Sequence, residues 1–301
     1  MTKKFGVYMQ DLAYFRPQSI KEAVSILSDH GPTAKILAGG TDVIVQARER
    51  TKEISAFVDI KKIPEVMGVG IEGHRGLTIG AATPMYQIYN HSGVQKEYPA
   101  IIDSANLVGG KAIQGRASFG GNLCNSGPAA DTIPTQIVLG GIANIIGPNG
   151  ERKVAIEDFC TAPGQNVLEH NEILVSMHFK KPAPFSGARF IRFIPRNEMD
   201  IAVVNVASQV QMNGSAIESS RVAIGACAPT PLLLNKISEF IDGKDFSEDL
   251  LNEASELFDN LISPIEDMRG TPEHRVDLAK TLFKRTMRDA VSRANGERIQ
   301  L

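Results

Sequence analysis

The residues with the clearest chemical potential lie in a nearly uncharged stretch, residues 117–134, which reads ASFGGNLCNSGPAADTIP. Its polar groups are the Ser118 hydroxyl, the Asn122 amide and the Asp131 carboxylate, set around Gly120-Gly121. Adjacent glycines permit φ > 0 and let a ligand contact bare main chain. Because the stretch has no helical or strand period, we predict a loop that wraps a ligand. A Gly/Ser-rich surface loop is the alternative.

A second glycine pair lies near the N-terminus. Residues 34–37 are predicted as a short buried strand, residues 38–42 (AGGTD) as a turn, and residues 43–49 as a helix. A turn at a helix start exposes N–H groups and the positive end of the helix dipole, which suits an anion. Alternatively, Thr41 or Asp42 simply caps the helix. Neither glycine pair belongs to G-x-x-x-x-G-K-[ST] or G-x-G-x-x-G. Two such loops would suit a pyrophosphate bound by main chain.

Catalytic side chains are sparse. The six histidines are scattered through turns and strands, at positions 30, 74, 91, 170, 178 and 274. Cys124 is interpreted as a small apolar filler, and Ser126 lacks the G-x-S-x-G elbow of a nucleophilic serine. We therefore predict no catalytic acid, base or nucleophile. A chain with two backbone cradles and no such group is typical of a protein whose bound cofactor performs the chemistry.

Composition narrows the class of protein. The chain has 301 residues, of which 43% are apolar and 22% charged, and a net charge of −2, so no nucleic-acid partner is expected. No window is apolar enough for a membrane span, and the N-terminus has no signal-peptide core, so a cytoplasmic location is expected. The cysteines, at positions 124, 160 and 227, form no C-x-x-C pair, so no zinc site or iron–sulfur cluster is expected within the chain.

Periodicity and breakers place the elements that must position these loops. A capping box over residues 19–22 begins a helix that Gly31-Pro32 ends. Further predicted elements are strands at 56–60 and 77–80, a helix begun by Thr83-Pro84, a helix over 99–108, a hairpin of 142–146 with 153–156, and a half-buried strand over 173–179. Residues 181–184 are predicted to link the domains. A small antiparallel sheet (189–194, 201–212 and 221–226) and helices begun by Pro231, Pro264 and Pro272 follow.

The two glycine motifs carry a family resemblance. Ala38–Asp42 and Ser118–Asn122 closely resemble the A-G-G-T-D and T-I-G-G-N motifs of the FAD-binding medium subunits of molybdenum hydroxylases. Further segments occur in the family's order, namely 14–17 with Glu22-Ala23, 128–131, 157–159 with 162–164, 172–174 and 200–202. The resemblance covers nearly the whole chain.

The resemblance implies an α+β fold. Residues 1–180 would form a vanillyl-alcohol-oxidase-like (PCMH-type) FAD-binding domain in two α/β subdomains, about 1–55 and 56–180. Residues 185–295 would form a C-terminal domain with a small antiparallel sheet and a helical bundle.

The resemblance also implies the FAD contacts. Asp131 would accept hydrogen bonds from cofactor hydroxyls, Val108 and Leu174 would pack near the flavin, and Arg192 would lie close to its ring. The FAD diphosphate would be wrapped by two segments, comprising Ile36, Leu37, Ala38, Gly39, Gly40, Thr41, Asp42 and Val43, and Ser118, Gly120, Gly121 and Asn122.

Two departures from the family pattern concern the second motif. Ser118-Phe119 replaces Thr-Ile, which keeps the hydroxyl but should make the larger ring push on its neighbours. Residues 113–115 (IQG) replace the family's Ile-Arg-Asn, so any contact of that arginine is in doubt. The insertion that carries a four-iron cluster in 4-hydroxybenzoyl-CoA reductase subunits is missing, which argues against that subtype.

The resemblance implies an electron-transfer flavoprotein subunit. Its partners would be a large molybdopterin subunit and a small 2Fe-2S subunit, in a dimer of heterotrimers. Electrons would pass from 2Fe-2S clusters through FAD to NAD, a quinone or oxygen. A stand-alone flavin oxidase of the same fold is one alternative, and a non-catalytic assembly subunit with a degenerate flavin site is another. The substrate is not encoded in this chain.

Overall fold

A computed structural model describes residues 12–196 and 198–299 of the chain. Its first part is a three-stranded parallel sheet in the order β1-β3-β2 with two helices. The elements are β1 (Ala13–Phe15), α1 (Ile20–His30), β2 (Ala34–Leu37), α2 (Val43–Glu49) and β3 (Ala56–Asp59). Strand β3 lies at the centre of this sheet and follows residue 55, where the subdomain division is predicted, and that division stays a prediction.

Ser19 caps helix α1 as predicted, although the returning bond to Glu22 comes from the amide of Gln18 and not from that of Ser19. The Ser19 hydroxyl accepts a 3.2 Å hydrogen bond from the Glu22 amide, and the Glu22 carboxylate accepts one of 2.8 Å from the Gln18 amide. The helix ends before Gly31, whose φ of 67° is readily adopted only by glycine. Its buried face, which includes Leu27, packs against β3 and so fixes the direction in which β2 enters the AGGTD turn.

The second part is a five-stranded antiparallel sheet in the order β4-β5-β10-β6-β7, with short helices between its strands. Its elements are β4 (Val69–Glu72), β5 (Gly76–Gly80), α3 (Met85–Tyr89), α4 (Ser92–Glu97), α5 (Pro99–Ala105), α6 (Lys111–Gln114), α7 (Phe119–Asn125), α8 (Ile133–Val138), β6 (Ile142–Gly147), β7 (Gly150–Ala155), β8 (Cys160–Ala162), β9 (Gln165–Asn166) and β10 (Ile173–Phe179). The predicted hairpin of β6 and β7 is confirmed.

Strand β10 is more buried than its alternating pattern predicted. Ile173 and Val175 contact the core beneath the first sheet, whereas Leu174, Met177 and Phe179 lie in the core of the second part. A β-bulge between residues 174 and 176 moves the odd-numbered side chains from one face to the other. The prediction of a half-buried strand is therefore wrong, because β10 is covered on both faces.

The stretch 117–134 is not the continuous loop that its composition predicted. Residues 119–125 form α7, and the Ser118 hydroxyl caps this helix by accepting a 3.0 Å hydrogen bond from the Gly121 amide. The pattern concealed the helix because two glycines disfavour one. Burial of Phe119 and Leu123 compensates for that weak propensity. Phe119 is fully buried and forms part of the core.

Two other helices differ from prediction. Thr83 does not cap α3, because its hydroxyl donates to the Gly68 carbonyl at 3.0 Å, and Pro84 takes the N-cap position instead of the first helical turn. Helix α5 ends at Ala105, short of the predicted residue 108. The Asn106 carbonyl there accepts a 2.9 Å hydrogen bond from the Gln114 side chain.

The third part is a four-stranded antiparallel sheet in the order β11-β12-β13-β14, covered by helices. Its elements are β11 (Ser186–Phe193), β12 (Val204–Asn213), β13 (Ala216–Gly225), β14 (Leu232–Leu233), α9 (Asn235–Ile241), α10 (Glu248–Glu256), α11 (Phe258–Leu261) and α12 (Pro272–Ala294). Pro272 begins a helix as predicted. Pro231 and Pro264 do not, because the first precedes β14 and the second lies in irregular chain.

Buried charge joins the second and third parts. Asp103 of α5 is 2% exposed, and its carboxylate contacts Arg293 of α12 at 2.6 and 2.9 Å and Arg189 of β11 at 3.0 Å. Among the helices of the described ranges, none is both long and apolar enough to cross a membrane.

Candidate cofactor-binding site

A cleft of about 350 Å³ runs between the first sheet and the second. Both glycine motifs lie in its wall, together with residues that follow β9. Every residue predicted to contact the cofactor lines this cleft except Leu37, Asp131 and Arg192. The fold therefore brings together two motifs that are separated by about eighty residues in sequence.

The AGGTD turn presents main chain to the cleft. Gly40 has a φ of +80°, which lets the chain reverse between β2 and α2. The Asp42 side chain does not cap α2, although this residue occupies the N-cap position. Within the described ranges, the amides of Gly39, Gly40 and Thr41 donate to no protein acceptor. These N–H groups are available to an anion.

Gly39 packs the AGGTD turn against the two residues that directly precede the second motif. A Cβ at this position would lie 2.3 Å from the Arg116 carbonyl oxygen and 2.9 Å from the Ala117 Cα, both backbone atoms. Gly120 has a similar role, since a Cβ there would lie 2.6 Å from the Ala81 carbonyl oxygen. These two glycines therefore serve close backbone packing, whereas Gly40 serves chain reversal.

Asn122 stabilises the second motif through its side chain. Its Oδ1 accepts hydrogen bonds from the Thr132 hydroxyl at 2.6 Å and the Thr132 amide at 3.3 Å. The Thr132 hydroxyl accepts a further bond of 3.1 Å from Gln136 Nε2. The start of α7 is thereby tied to the start of α8, and only the NH₂ group of Asn122 remains for a ligand.

Asp131 and Arg192 form an ion pair beside the cleft. Their Oδ2 and Nη1 atoms are 2.5 Å apart, and their side chains are 11% and 5% exposed. Burial outweighs the opposing effect of Arg192 and raises the pKa of Asp131 to about 6. The second oxygen, Oδ1, is buried without a partner in the described ranges. Direct contact of either side chain with a cofactor would require this pair to rearrange.

Leu37 also lies outside the lining. It ends β2 as a buried side chain and packs with Ala47, Ile54 and Phe57 behind the first sheet. Its predicted neighbour Ile36 points the other way and does line the cleft. Successive side chains of a strand point to opposite faces, which accounts for this difference. The prediction treated residues 36–43 as one continuous contact segment and therefore included both residues.

Sequence reasoning missed several polar residues of the lining. They come from β2, α2, its C-terminal extension, α7 and the segment after β8, and are Lys35, Gln46, Lys52, Asn125, Asn166, Glu169, His170 and Glu172. Burial, with a smaller effect of Lys52, lowers the pKa of Lys35. The family-like segments 162–164 and 172–174 flank the lining residues that follow β8, so the resemblance could have indicated that these residues lie at the site. No sequence motif indicated that Lys35 and Lys52 would line the cleft.

Cys124 lines the cleft with a buried thiol. Burial raises the pKa of its thiol to about 12, so the thiol stays protonated at neutral pH. This agrees with its interpretation as a small filler. Among the residues that the structure describes, no group of three or more His, Cys, Asp or Glu side chains could coordinate a metal ion.

Residues 5–182 match the family profile described as the FAD binding domain in molybdopterin dehydrogenase. The chain belongs to the FAD-binding subunits of the molybdenum hydroxylases. A second profile, described as the CO dehydrogenase flavoprotein C-terminal domain, matches residues 189–290. The family assignment makes the chain an oxidoreductase component that binds FAD.

Relatives in this family align over nearly their whole length. The xanthine dehydrogenase FAD-binding subunit of Escherichia coli O157:H7 is 31% identical, with 95% of this chain and 98% of that protein covered. The carbon monoxide dehydrogenase medium chain of Hydrogenophaga pseudoflava is 28% identical, with 93% and 97% covered.

Solved structures show the same arrangement of elements. Carbon monoxide dehydrogenase from Hydrogenophaga pseudoflava, in a form lacking the Mo-pyranopterin moiety, superposes with a TM-score of 0.91 at 27% identity, covering 95% of this chain and 99% of that one. Quinoline 2-oxidoreductase from Pseudomonas putida 86 gives a TM-score of 0.88 at 26% identity with the same coverage.

The cleft fits the cofactor of the family. Glycine backbone with unpartnered amides lies along one part of the wall, which suits a diphosphate without a lysine contact. Apolar side chains, including Val108, Met85 and Leu174, supply a surface for a flat ring elsewhere in the lining.

Proposed function

We propose that this chain transfers electrons from the 2Fe-2S clusters of a partner subunit, through FAD, to an external acceptor such as NAD, a quinone or oxygen. FAD, when bound, supplies a ring that accepts and releases electrons. The observation that carries the proposal is that both FAD motifs line one cleft, where Gly39 packs against the Arg116–Ala117 backbone directly before the second motif.

The chain's own contribution is to bind and orient the cofactor. The proposed diphosphate contacts are the amides of Gly39, Gly40 and Thr41, with the Asn122 NH₂ group across the cleft. Val108 and Leu174 are proposed to pack near the flavin. These assignments are supported by cleft lining and by the unpartnered amides.

Asp131 and Arg192 are proposed to act as one unit. By resemblance, the carboxylate would meet a cofactor hydroxyl and the guanidinium would lie close to the ring. Their ion pair instead suggests that the pair first of all anchors the segment after α7 to β11. A cofactor hydroxyl could then reach the unpartnered Oδ1 only after a local rearrangement.

For the fold, we propose the vanillyl-alcohol-oxidase-like (PCMH-type) arrangement for the first two parts of the chain. The parallel sheet and the antiparallel sheet with a cleft between them support it. The first subdomain then extends through β3, and the C-terminal domain begins at β11.

For the assembly, we propose a large molybdopterin subunit and a small 2Fe-2S subunit as partners, in a dimer of heterotrimers. Support comes from the names of relatives, which are an FAD-binding subunit, a medium chain and, in solved form, a Cu,Mo-containing carbon monoxide dehydrogenase.

Affinity purification from the native host tests this function. A tagged chain should bring down flavin together with molybdenum-containing and iron-containing partners, and adding the complex's substrate should bleach the flavin absorbance. A yellow chain that purifies alone and is reduced directly by a small alcohol or acid would support a stand-alone flavin oxidase instead. A colourless chain without partners would contradict both functions.

A further inference from the structure

Two cations contact consecutive carbonyls of the AGGTD turn. Lys61 Nζ donates a 2.9 Å hydrogen bond to the Ala38 carbonyl, and Arg116 Nε donates one of 3.4 Å to the Gly39 carbonyl. Neither Lys61 nor Arg116 lines the cleft, although the turn itself does. Both cations therefore contact the turn from behind the surface that a ligand would meet.

Peptide geometry links these contacts to the cleft. In a planar trans peptide, the carbonyl of one residue and the N–H of the next point in opposite directions. A cation on the Ala38 carbonyl thus directs the Gly39 N–H away from Lys61, and a cation on the Gly39 carbonyl directs the Gly40 N–H away from Arg116. These are two of the amides that have no acceptor within the described ranges.

We propose that Lys61 and Arg116 are positioning residues, which orient the amides of Gly39 and Gly40 toward the FAD diphosphate without contacting it. This inference rests on the proposed binding of FAD in the cleft. A charge-assisted hydrogen bond to a carbonyl also polarises that peptide, which strengthens its N–H as a donor on the opposite side.

Lys61 is itself fixed by a buried carboxylate. Asp59 ends β3, and its carboxylate contacts Lys61 Nζ at 2.7 Å and accepts hydrogen bonds from the Tyr14 hydroxyl at 2.6 Å and the Lys61 amide at 3.0 Å. Burial alone would raise the pKa of Asp59, but the hydrogen bonds from Lys61 and Tyr14 lower it overall. An ionised Asp59 holds the ammonium group of Lys61 at the Ala38 carbonyl.

This hydrogen-bonded arrangement includes Tyr14, which none of the predicted cofactor contacts involves. Tyr14 belongs to the family-like stretch of residues 14–17, and it lies on β1, which pairs with β3. The parallel sheet thereby aligns Tyr14, Asp59 and Lys61 in one chain of hydrogen bonds that ends at the AGGTD turn. Removing any member should loosen the turn, with the largest effect at Lys61.

The test compares FAD affinity among matched variants of the full chain. Lys61→Met removes the cation but keeps a long side chain, Lys61→Arg keeps a cation, and Lys62→Met removes the exposed neighbouring lysine as a control. Each apoprotein is titrated with FAD and, separately, with ADP, which carries the diphosphate without the flavin. The thermal midpoint of each apoprotein is measured in parallel.

We expect Lys61→Met to weaken FAD and ADP by a similar factor of about 10, from the typical strength of a hydrogen bond to a charged group. Lys61→Arg should recover most of that loss, and Lys62→Met should bind like the wild type. Arg116→Met provides a second test, with a smaller expected loss of about threefold because its contact is longer.

Three results would overturn the inference. The first is FAD binding by Lys61→Met within twofold of the wild type. The second is a loss that Lys61→Arg does not recover and that follows the thermal midpoint of the apoprotein, since that pattern would show a purely structural role. The third is a Lys61→Met variant that binds FAD more weakly than the wild type but binds ADP with unchanged affinity. Failure of the wild type to bind FAD would instead contradict the proposed function itself.

Discussion

Replacing Gly39 with alanine is the sharpest available perturbation of the site. The added Cβ would lie 2.3 Å from the Arg116 carbonyl oxygen and 2.8 Å from its carbonyl carbon. Both atoms are backbone, so no side chain can rotate away. Accommodating the methyl group requires the AGGTD turn and the start of the second motif to separate by roughly 1 Å, given the usual spacing of packed atoms.

The expected cost follows from overpacking. Inserting a methyl group into a well-packed region costs about 1–3 kcal/mol. If the two motifs move apart, most of that cost appears in cofactor binding, because a ligand that spans both motifs must draw them together again. A loss of about 1–3 kcal/mol corresponds to a roughly 5-fold to 150-fold weaker affinity for FAD.

Titration of the apoprotein with FAD, followed by flavin fluorescence, measures this loss. Gly127→Ala is the matched control. A Cβ at Gly127 would meet no atom within 4 Å, and this glycine follows shortly after α7 in the sequence. We expect Gly127→Ala to bind FAD like the wild type. An affinity of Gly39→Ala within twofold of the wild type would refute the view that close packing of the AGGTD turn against residues 116–117 forms the site.

Two further predictions concern buried charge. Asp103→Ala leaves the guanidinium groups of Arg189 and Arg293 without their shared carboxylate, so it should lower the free energy of unfolding by about 3–5 kcal/mol and the thermal midpoint by roughly 10 °C. Glu248→Ala removes an exposed ion pair and should leave the thermal midpoint unchanged. Equal thermal midpoints for the two variants would contradict the prediction. The pKa of Asp131 is raised from 3.8 to about 6, so its contribution to stability is present below about pH 4 and is lost as the pH rises to about 6. Urea unfolding of the wild type and of Asp131→Asn at about pH 4 and pH 6 measures this effect, and the variant should not show the loss of stability between the two pH values. The same pH dependence in both proteins would contradict the raised pKa of Asp131.

Much of the fold followed from local patterns. The N-cap at Ser19, the hairpin of β6 and β7 and the three long strands of the C-terminal sheet are confirmed, because each depends on short-range signals. Helix α7 was missed because its stability comes from tertiary burial of Phe119 and Leu123, which outweighs the low helix propensity of Gly120-Gly121. The burial of both faces of β10 was missed for a related reason, since the sequence does not state what covers a strand.

Most of the residues predicted to contact FAD line one cleft, and their contact with the cofactor stays a prediction. Both glycine motifs do line one cleft, yet the sequence could not show that Gly39 and Gly120 are needed for backbone contact with other segments. Asp131 and Arg192 were predicted as separate cofactor contacts, and only the three-dimensional structure shows that they pair with each other. The contribution of Lys61 depends on a hydrogen bond across twenty-three residues, which no local motif encodes.

Hydrogen–deuterium exchange of the full chain, with and without saturating FAD, tests the central claim most directly. Binding of the diphosphate between the motifs predicts slower exchange at the amides of residues 39–41 and in peptides that cover residues 118–122. Peptides from the distant helix α10 should exchange at the same rate in both states. Slowing that is confined to other segments, or no slowing in the presence of FAD, would contradict the claim that these two motifs together form the FAD site.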